Sequence, residues 1–318
     1  MNAMGNLYQR VGALPFLFVV SFAVFGSQQP RFLSVANIVN VATQSSYLVI
    51  VALAQTLVII AAGFDLSVGA SIALASIVLA NLMLTGGDPL WCILLGGLGS
   101  VSVGLLVGLV NGTFVAVTRV SPLIVTLGTM TAVQGVALML SSGMPIFGLP
   151  EAFNATFALG SLWGIPVPTI AAVLVCAAVH VLLSQTTLGR HIYAVGSSPR
   201  AAHISGVPVR RTLIITYALT GLLTGVAAFL LTARVGSGEP NLAGNFPLMS
   251  IAAAVLGGVA LRGGEGTAFG AAMGAVSIVL LTNGMDLIGI GSFSQMLVLG
   301  TVLVFAAVVD TFRQTGRI

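Results

Sequence analysis

Residues 188–211 read LGRHIYAVGSSPRAAHISGVPVRR, a long polar stretch in a chain that is 57% hydrophobic and only 6% charged. It holds Arg190, Arg200, Arg210 and Arg211, four of the eleven arginines, and two of the three histidines, His191 and His203. Its middle is bounded at both ends. Ser198 is a good N-cap, and Pro199 suits the first helical position, where a missing N–H does no harm. Gly206 can take a left-handed C-terminal turn, and Pro208 blocks any continuation. The pattern predicts a short helix from Pro199 to Ser205, with Ala201 and Ala202 forming a small, smooth face. Two readings stand for this segment. It is a docking element for a cytoplasmic partner, or a solvated loop whose arginines only set topology.

Outward from that stretch the chain turns apolar. Soluble domains carry about 25% charged residues, so this composition belongs to an all-α polytopic membrane protein in a bilayer. Runs of about 20 apolar residues suit the hydrocarbon core. They fall at Tyr47–Gly63, Val68–Gly86, Trp91–Val117, Pro122–Ser141, Thr169–Gln185, Thr212–Ala233, Phe246–Leu261, Thr267–Asn283 and Phe293–Phe312. Val11–Ser27 lacks a clear small-x-small cleavage site and reads as a retained first helix. The total is about ten spans in a single transmembrane domain covering 1–318, with both termini on one side. Gln28–Val41 looks interfacial. Met144–Pro168, with four prolines and no arginine, reads as an ordered external loop.

Placing both termini in the cytoplasm puts Arg10, Arg119, Arg190, Arg200, Arg210, Arg211, Arg262, Arg313 and Arg317 inside, and leaves only Arg31 and Arg234 outside. That asymmetry is a positive-inside signature. The formal net charge of +4 therefore speaks of orientation in a membrane, not of nucleic acid. Small residues recur every fourth position at Gly96, Ser100, Gly104, Gly108 and Gly112, and again at Gly266, Gly270 and Gly274, so helix backbones can approach closely.

The chain has no lysine, which excludes a phosphate-binding Gly-x-x-x-x-Gly-Lys loop and Schiff-base chemistry. Any nucleotide energy must come from another subunit. Cys92 and Cys176 have no metal-ligand spacing, His180 stands alone in an apolar run, and no catalytic grouping is visible, so the chain does not read as an enzyme. Among intramembrane ionisable candidates, Asp65 lies between two spans in Gly63-Phe-Asp-Leu-Ser-Val-Gly69 and reads first as a cap for the following helix. Neutral polar side chains at Gln44, Gln55, Asn111, Thr126, Thr129, Gln134, Thr216, Thr220 and Asn283 can line a path for an uncharged hydrophilic solute, or bond helix to helix. Gln55, Asp65, Asn111, Gln134 and Asn283 are the candidate path residues.

These residues carry a resemblance. Gly63-Phe-Asp-Leu-Ser-Val-Gly69 is similar to a Gly-Ile-Asp-Leu-Ser-Val-Gly block, and Thr187-Leu-Gly-Arg190, Tyr193-Ala-Val-Gly196 and Arg200-Ala-Ala-His-Ile-Ser-Gly206 to a cytoplasmic signature. Ala252-Ala-Ala-Val-Leu-Gly-Gly258 with Gly263-Gly-Glu-Gly266, and Asn283-Gly-Met-Asp-Leu287, supply two further blocks. The chain thus resembles, from about Asn37 to Asp310, the permease subunits of bacterial ABC sugar importers of the ribose, galactose, xylose and autoinducer-2 class. The resemblance implies a multi-pass protein of the bacterial inner membrane with the ABC importer permease fold. It implies a periplasmic sugar-binding protein, a second permease subunit and cytoplasmic ATPase subunits as partners. ATP would be bound by those subunits, and this chain would hold no cofactor and no metal. The loop 186–211 would couple to the ATPase through Arg190, Pro199, Arg200, Ala201, Ala202, Ser205 and Gly206. The alternative is a stand-alone secondary transporter or facilitator of a neutral polar solute. One departure is Pro247-Leu-Met249, where the family often has Glu-Leu-Asp.

Overall fold

The structure, a computed structural model, describes residues 14–118, 120–301 and 304. The polar lead, the start of the first helix, the end of the span expected at Phe293–Phe312, and Arg10, Arg119, Arg313 and Arg317 lie outside the described residues. The described chain runs α1 (Leu14–Gln28), a 3-10 turn (Pro30–Leu33), α2 (Val35–Ile60), α3 (Val68–Met83), α4 (Pro89–Thr118), α5 (Pro122–Ser141) and α6 (Glu151–Phe157). A hairpin of β1 (Ser161–Leu162) and β2 (Ile165–Pro166) follows, with Ser161 opposite Pro166. Then come α7 (Val167–Gln185), α8 (Thr187–Ser197), α9 (Pro199–Ile204), α10 (Val209–Val235), α11 (Phe246–Leu256) and α12 (Ala268–Leu287). Residues 292–301 are again helical.

The fold is all-α apart from that hairpin, which sits with α6 in the loop expected to be external. Among the described residues six helices, α2, α4, α5, α7, α10 and α12, are long and apolar enough to cross a membrane. Two more, α3 and α11, are apolar but only 16 and 11 residues long.

α2 is the shaft of the bundle. From Ser45 to Ile60 its residues are buried, and it packs against α7, α10, α11 and α12. It begins at Val35, well before the expected Tyr47, so half of the stretch expected at the interface belongs to this helix. Ser34 caps it, accepting a bond from the Asn37 N–H at 3.3 Å. The polar residues that broke the apolar run find partners: Gln44 donates to Asn40 at 3.0 Å, and Asn37 and Asn283 of α12 exchange amide bonds at 2.9 and 3.1 Å.

The small-residue ridges act as backbone contacts. On α4, a Cβ at Gly104 would collide with the Gly221 carbonyl of α10, and one at Gly108 with the Tyr217 carbonyl. Ser100 instead donates to the Gly225 carbonyl at 2.8 Å. Gly96 faces Met83 of α3. In the second ridge, Gly270 and Gly274 of α12 leave no room between them and the Gly257 and Ala253 carbonyls. Gly266 is not part of that ridge. It precedes α12, with φ +151°, and lies against Val259 and Ile60. Between helices in lipid there is no hydrophobic drive, so close packing of this kind carries the association.

A side chain at Gly104 therefore has to part α4 from α10. Gly104→Val is expected to destabilise the detergent-solubilised protein by about 3 kcal/mol, seen as a lower thermal midpoint. Gly128→Leu on α5, where nothing lies within 4 Å, should not lower the midpoint, since an unhindered glycine inside a helix is the less favourable residue. Equal midpoints for the two variants would contradict the packing.

Candidate functional site

The bounded segment folds as its sequence predicts. Ser198 accepts the Ala201 N–H at 3.2 Å, α9 runs Pro199–Ile204, and Gly206 takes φ +82°. The Gly206 N–H then bonds to His203 O at 3.0 Å and the Val207 N–H to Ala202 O at 2.9 Å, which closes the C-terminus. Arg190, Pro199, Arg200, Ala201, Ser205 and Gly206 are exposed. Ala202 is not. It is buried, so Ala201 and Ala202 do not share one outward face; successive helical residues point about 100° apart. The apolar residue that α9 does present is Ile204, 79% exposed. Sequence reading passed over it because one isoleucine in a polar loop is an ordinary residue.

A second element lies at the end of α2. Residues 61–67 leave the helix, with Ala62 in the left-handed region at φ +59°, before α3 begins. Asp65 and Ser67 are buried, so their polar groups need protein partners. Gln55, with its amide oriented to its neighbours, donates to Asp65 O (3.1 Å) and accepts the Asp65 N–H (3.2 Å). The Tyr217 hydroxyl donates to Phe64 O at 3.2 Å. The Asp65 carboxylate accepts the Ser67 N–H (2.9 Å) and hydroxyl (2.6 Å). Asn111 of α4 donates to Ser67 Oγ at 2.9 Å and, longer, to Asp65 at 3.4 Å. Asp65 thus holds the turn before α3 by bonding Ser67, the N-cap residue, which itself makes no side-chain capping bond, and two other candidate path residues, Gln55 and Asn111, hold Asp65 in turn. The Asn111 Oδ1 is buried without a partner among the described residues.

The other two path candidates stand elsewhere. Gln134 of α5 donates to Pro240 O at 2.8 Å and to Asn241 at 3.2 Å, tying down the loop after α10. Asn283 belongs to the amide pair with Asn37. Thr126, Thr129, Thr216 and Thr220 return their hydroxyls to carbonyls four residues back, and Thr220 also reaches Ala54 O of α2 at 2.9 Å. Pro247, in the departure from the family pattern, opens α11 and packs beside Gly69.

The two elements meet through a third. The Gly264 N–H donates to Ile60 O at 2.8 Å, closing the end of α2 with the loop between α11 and α12. Gly196, at the end of α8, lies so close that a Cβ there would collide with the same Ile60 carbonyl. Gly264 in turn abuts Ser197, and Gly263 abuts Ala62. Tyr193 of α8 donates its hydroxyl to Gly266 O at 2.7 Å, and burial pushes its phenol up, which keeps the donor proton in place. Three stretches far apart in sequence, 60–67, 193–197 and 263–266, form one junction. No local pattern in the sequence could have paired them.

A cavity of about 570 Å³ with a mixed polar and apolar lining lies beside the first half of α2, among Asn40, Thr43, Tyr47, Leu159, Pro166 and Arg234. The Arg234 guanidinium stands 5.4 Å over the Tyr47 ring. Among the described residues no group of His, Cys, Asp and Glu is placed to hold a metal.

The break gives a testable separation of roles. Asp65→Ala strands the Ser67 N–H and hydroxyl, and is expected to lower stability by about 1–3 kcal/mol in thermal melts. Asp65→Asn keeps the acceptor and should lose less than half of that. Equal losses would mean that charge, not the bonds to Ser67, holds Asp65 in place.

A family profile described as branched-chain amino acid transport system / permease component matches residues 37–307. The chain is 38% identical to the ribose import permease protein RbsC of Bacillus subtilis, over 96% of this chain and 94% of that protein. It is 35% identical to the D-allose transport system permease protein AlsC of Escherichia coli, over 93% and 90%. It is 33% identical to the galactose/methyl galactoside import permease protein MglC of Escherichia coli, over 98% and 96%. No solved structure matches.

Proposed function

The chain belongs to the branched-chain amino acid transport system / permease component family, and on that footing we propose that it is the membrane-spanning subunit of an ATP-driven sugar importer. A sugar or sugar-like polar solute is handed over by a binding protein at the outer face and released into the cytoplasm. The observation that carries this reading is identity of 33–38% with ribose, allose and galactose permeases along nearly the whole length of both chains.

The full chain crosses the inner membrane about ten times with both termini in the cytoplasm. In support, Arg190, Arg200, Arg210, Arg211 and Arg262 belong to segments gathered at the Ile60 end of α2. Arg31 precedes α2 at its opposite end, and Arg234 stacks over Tyr47, midway along α2 and 13 residues from Ile60. The end rich in arginine is the cytoplasmic one.

ATP is bound and split by separate subunits that dock on loop 186–211. Arg190, Pro199, Arg200, Ala201, Ser205 and Gly206 offer the outer surface, Ile204 the apolar contact, and Ala202 the anchor beneath. A second permease subunit completes the path. Gln55, Asp65 and Asn111 sit where the path closes on the cytoplasmic side, and Gln134 and Asn283 brace it further out. This chain binds no cofactor itself.

Purification from membranes should bring down an ATPase subunit and a soluble sugar-binding protein. Ile204→Asp and Arg200→Glu should each weaken ATPase retention about tenfold or more, as loss of an interface anchor does, while the chain still inserts. Gly206→Pro should act likewise, since proline cannot adopt φ +82°. A homo-oligomer that never retains an ATPase, even in the parent, would favour the stand-alone transporter instead.

A further inference from the structure

The importer reading says where an ATPase docks but not how its movement reaches the path. We propose that Gly196 and Tyr193 are positioning residues for transport: they seat α8 on the backbone at the α2 break, so that displacement of α9 is delivered to residues 60–67. This inference rests on the importer reading.

The route is continuous in contact. α9 is capped by Ser198, immediately after α8, so the two short helices share an end. Gly196 and Ser197 occupy that end. Gly196 has no clearance from the Ile60 carbonyl or, at 2.7 Å from its notional Cβ, from the Gly264 nitrogen. Those two atoms are the partners of the 2.8 Å bond that closes α2. A shift of α8 therefore cannot be absorbed by side-chain adjustment. It must move the Ile60 carbonyl, the Gly264 amide, or both. Tyr193 couples the same helix to Gly266, on the far side of the same loop.

The receiving element is able to respond. Rigid helices meet at residues 61–67, and the few residues between them are where a change in backbone angles can be taken up. Ala62 already sits at φ +59°, against Gly263. One residue beyond Gly63, Phe64 O is held by Tyr217, and Asp65 is held by Gln55, Ser67 and Asn111. Residues held only by hydrogen bonds can exchange partners when their anchor moves. The unpartnered Asn111 Oδ1 leaves an acceptor free for such an exchange.

The experiment uses the complex of the full chain with its ATPase subunit and is independent of the transported solute. In a chain with Cys92→Ser and Cys176→Ser, Phe64→Cys reports the break by its rate of reaction with a maleimide, with and without ATP and vanadate. The parent should show an ATP-dependent change in rate. Tyr193→Phe removes one hydrogen bond and almost no volume; it should shrink that change about 5-fold, the factor for a bond of ordinary net strength, with ATPase retention and hydrolysis unaltered. Gly196→Ala should abolish the change. Should Gly196→Ala fail to fold, the Tyr193→Phe result decides. An undiminished change in Tyr193→Phe, or a parent whose labelling ignores ATP while the ATPase is bound and active, overturns the proposal. A parent that retains no ATPase overturns the importer reading, and this inference with it, and is recognised from the composition of the complex before any labelling.

Discussion

A buried stretch of backbone outside regular structure must find a partner for every N–H and C=O, and the break after α2 is where this chain meets that demand. Within residues 60–67, one carbonyl is closed by Gly264, one by Tyr217 and one by Gln55. The N–H groups of Ala61, Ala62 and Gly63 turn to α2 carbonyls, that of Asp65 to Gln55 and that of Ser67 to the Asp65 carboxylate. The partners come from four elements: α2, α10, the loop before α12 and the break itself. The break is therefore a crossing point for the bundle. α2, α10 and the loop before α12 are bound there to a few peptide groups.

Glycine supplies the complementary constraint. Along α4 and α10, and again along α11 and α12, carbonyls lie where a Cβ would stand. Such interfaces have no compliant side-chain layer, so the paired helices move as one body or part altogether. Rigid pairs joined by a hydrogen-bonded break make a machine in which displacement is conveyed rather than dissipated. The same economy appears at Gly196, where a helix end presses on a peptide group with nothing between them.

Much of this was legible in the sequence, for reasons that differ by feature. The ends of α9 were clear because Ser198, Pro199, Gly206 and Pro208 act within a few residues of themselves. The ridges were clear because a four-residue period needs only one helix to show it. The start of α2 was not clear. Hydropathy reads Asn37, Asn40 and Gln44 as polar, while the structure pairs the first with α12 and the other two with each other. Asp65 reads from sequence as a helix cap, whereas it holds the N-cap residue Ser67, and its company is out of local reach: Gln55 is ten residues away, Asn111 forty-six, and Tyr217 further still. Ala202 was placed on the wrong face because a one-turn helix gives composition no periodicity to work with.

The family is described by branched-chain amino acids, whereas the relatives named above carry sugars. The interior bears on that difference. An amino acid brings an ammonium and a carboxylate, and a path through an apolar bundle would have to offer each a counter-charge, since an unpaired ion in such surroundings is strongly disfavoured. Among the described residues no arginine is buried, and Asp65 is the one buried acid. Its carboxylate is already engaged by Ser67 and Asn111. The remaining buried polar groups are hydroxyls and amides, which donate and accept without charge. That is the chemistry a sugar meets in water, and a neutral polyol can exchange one set of such bonds for the other. Apart from Asp65, the buried polar groups among the described residues therefore offer hydrogen bonds rather than counter-charges, which suits a neutral solute better than a zwitterion.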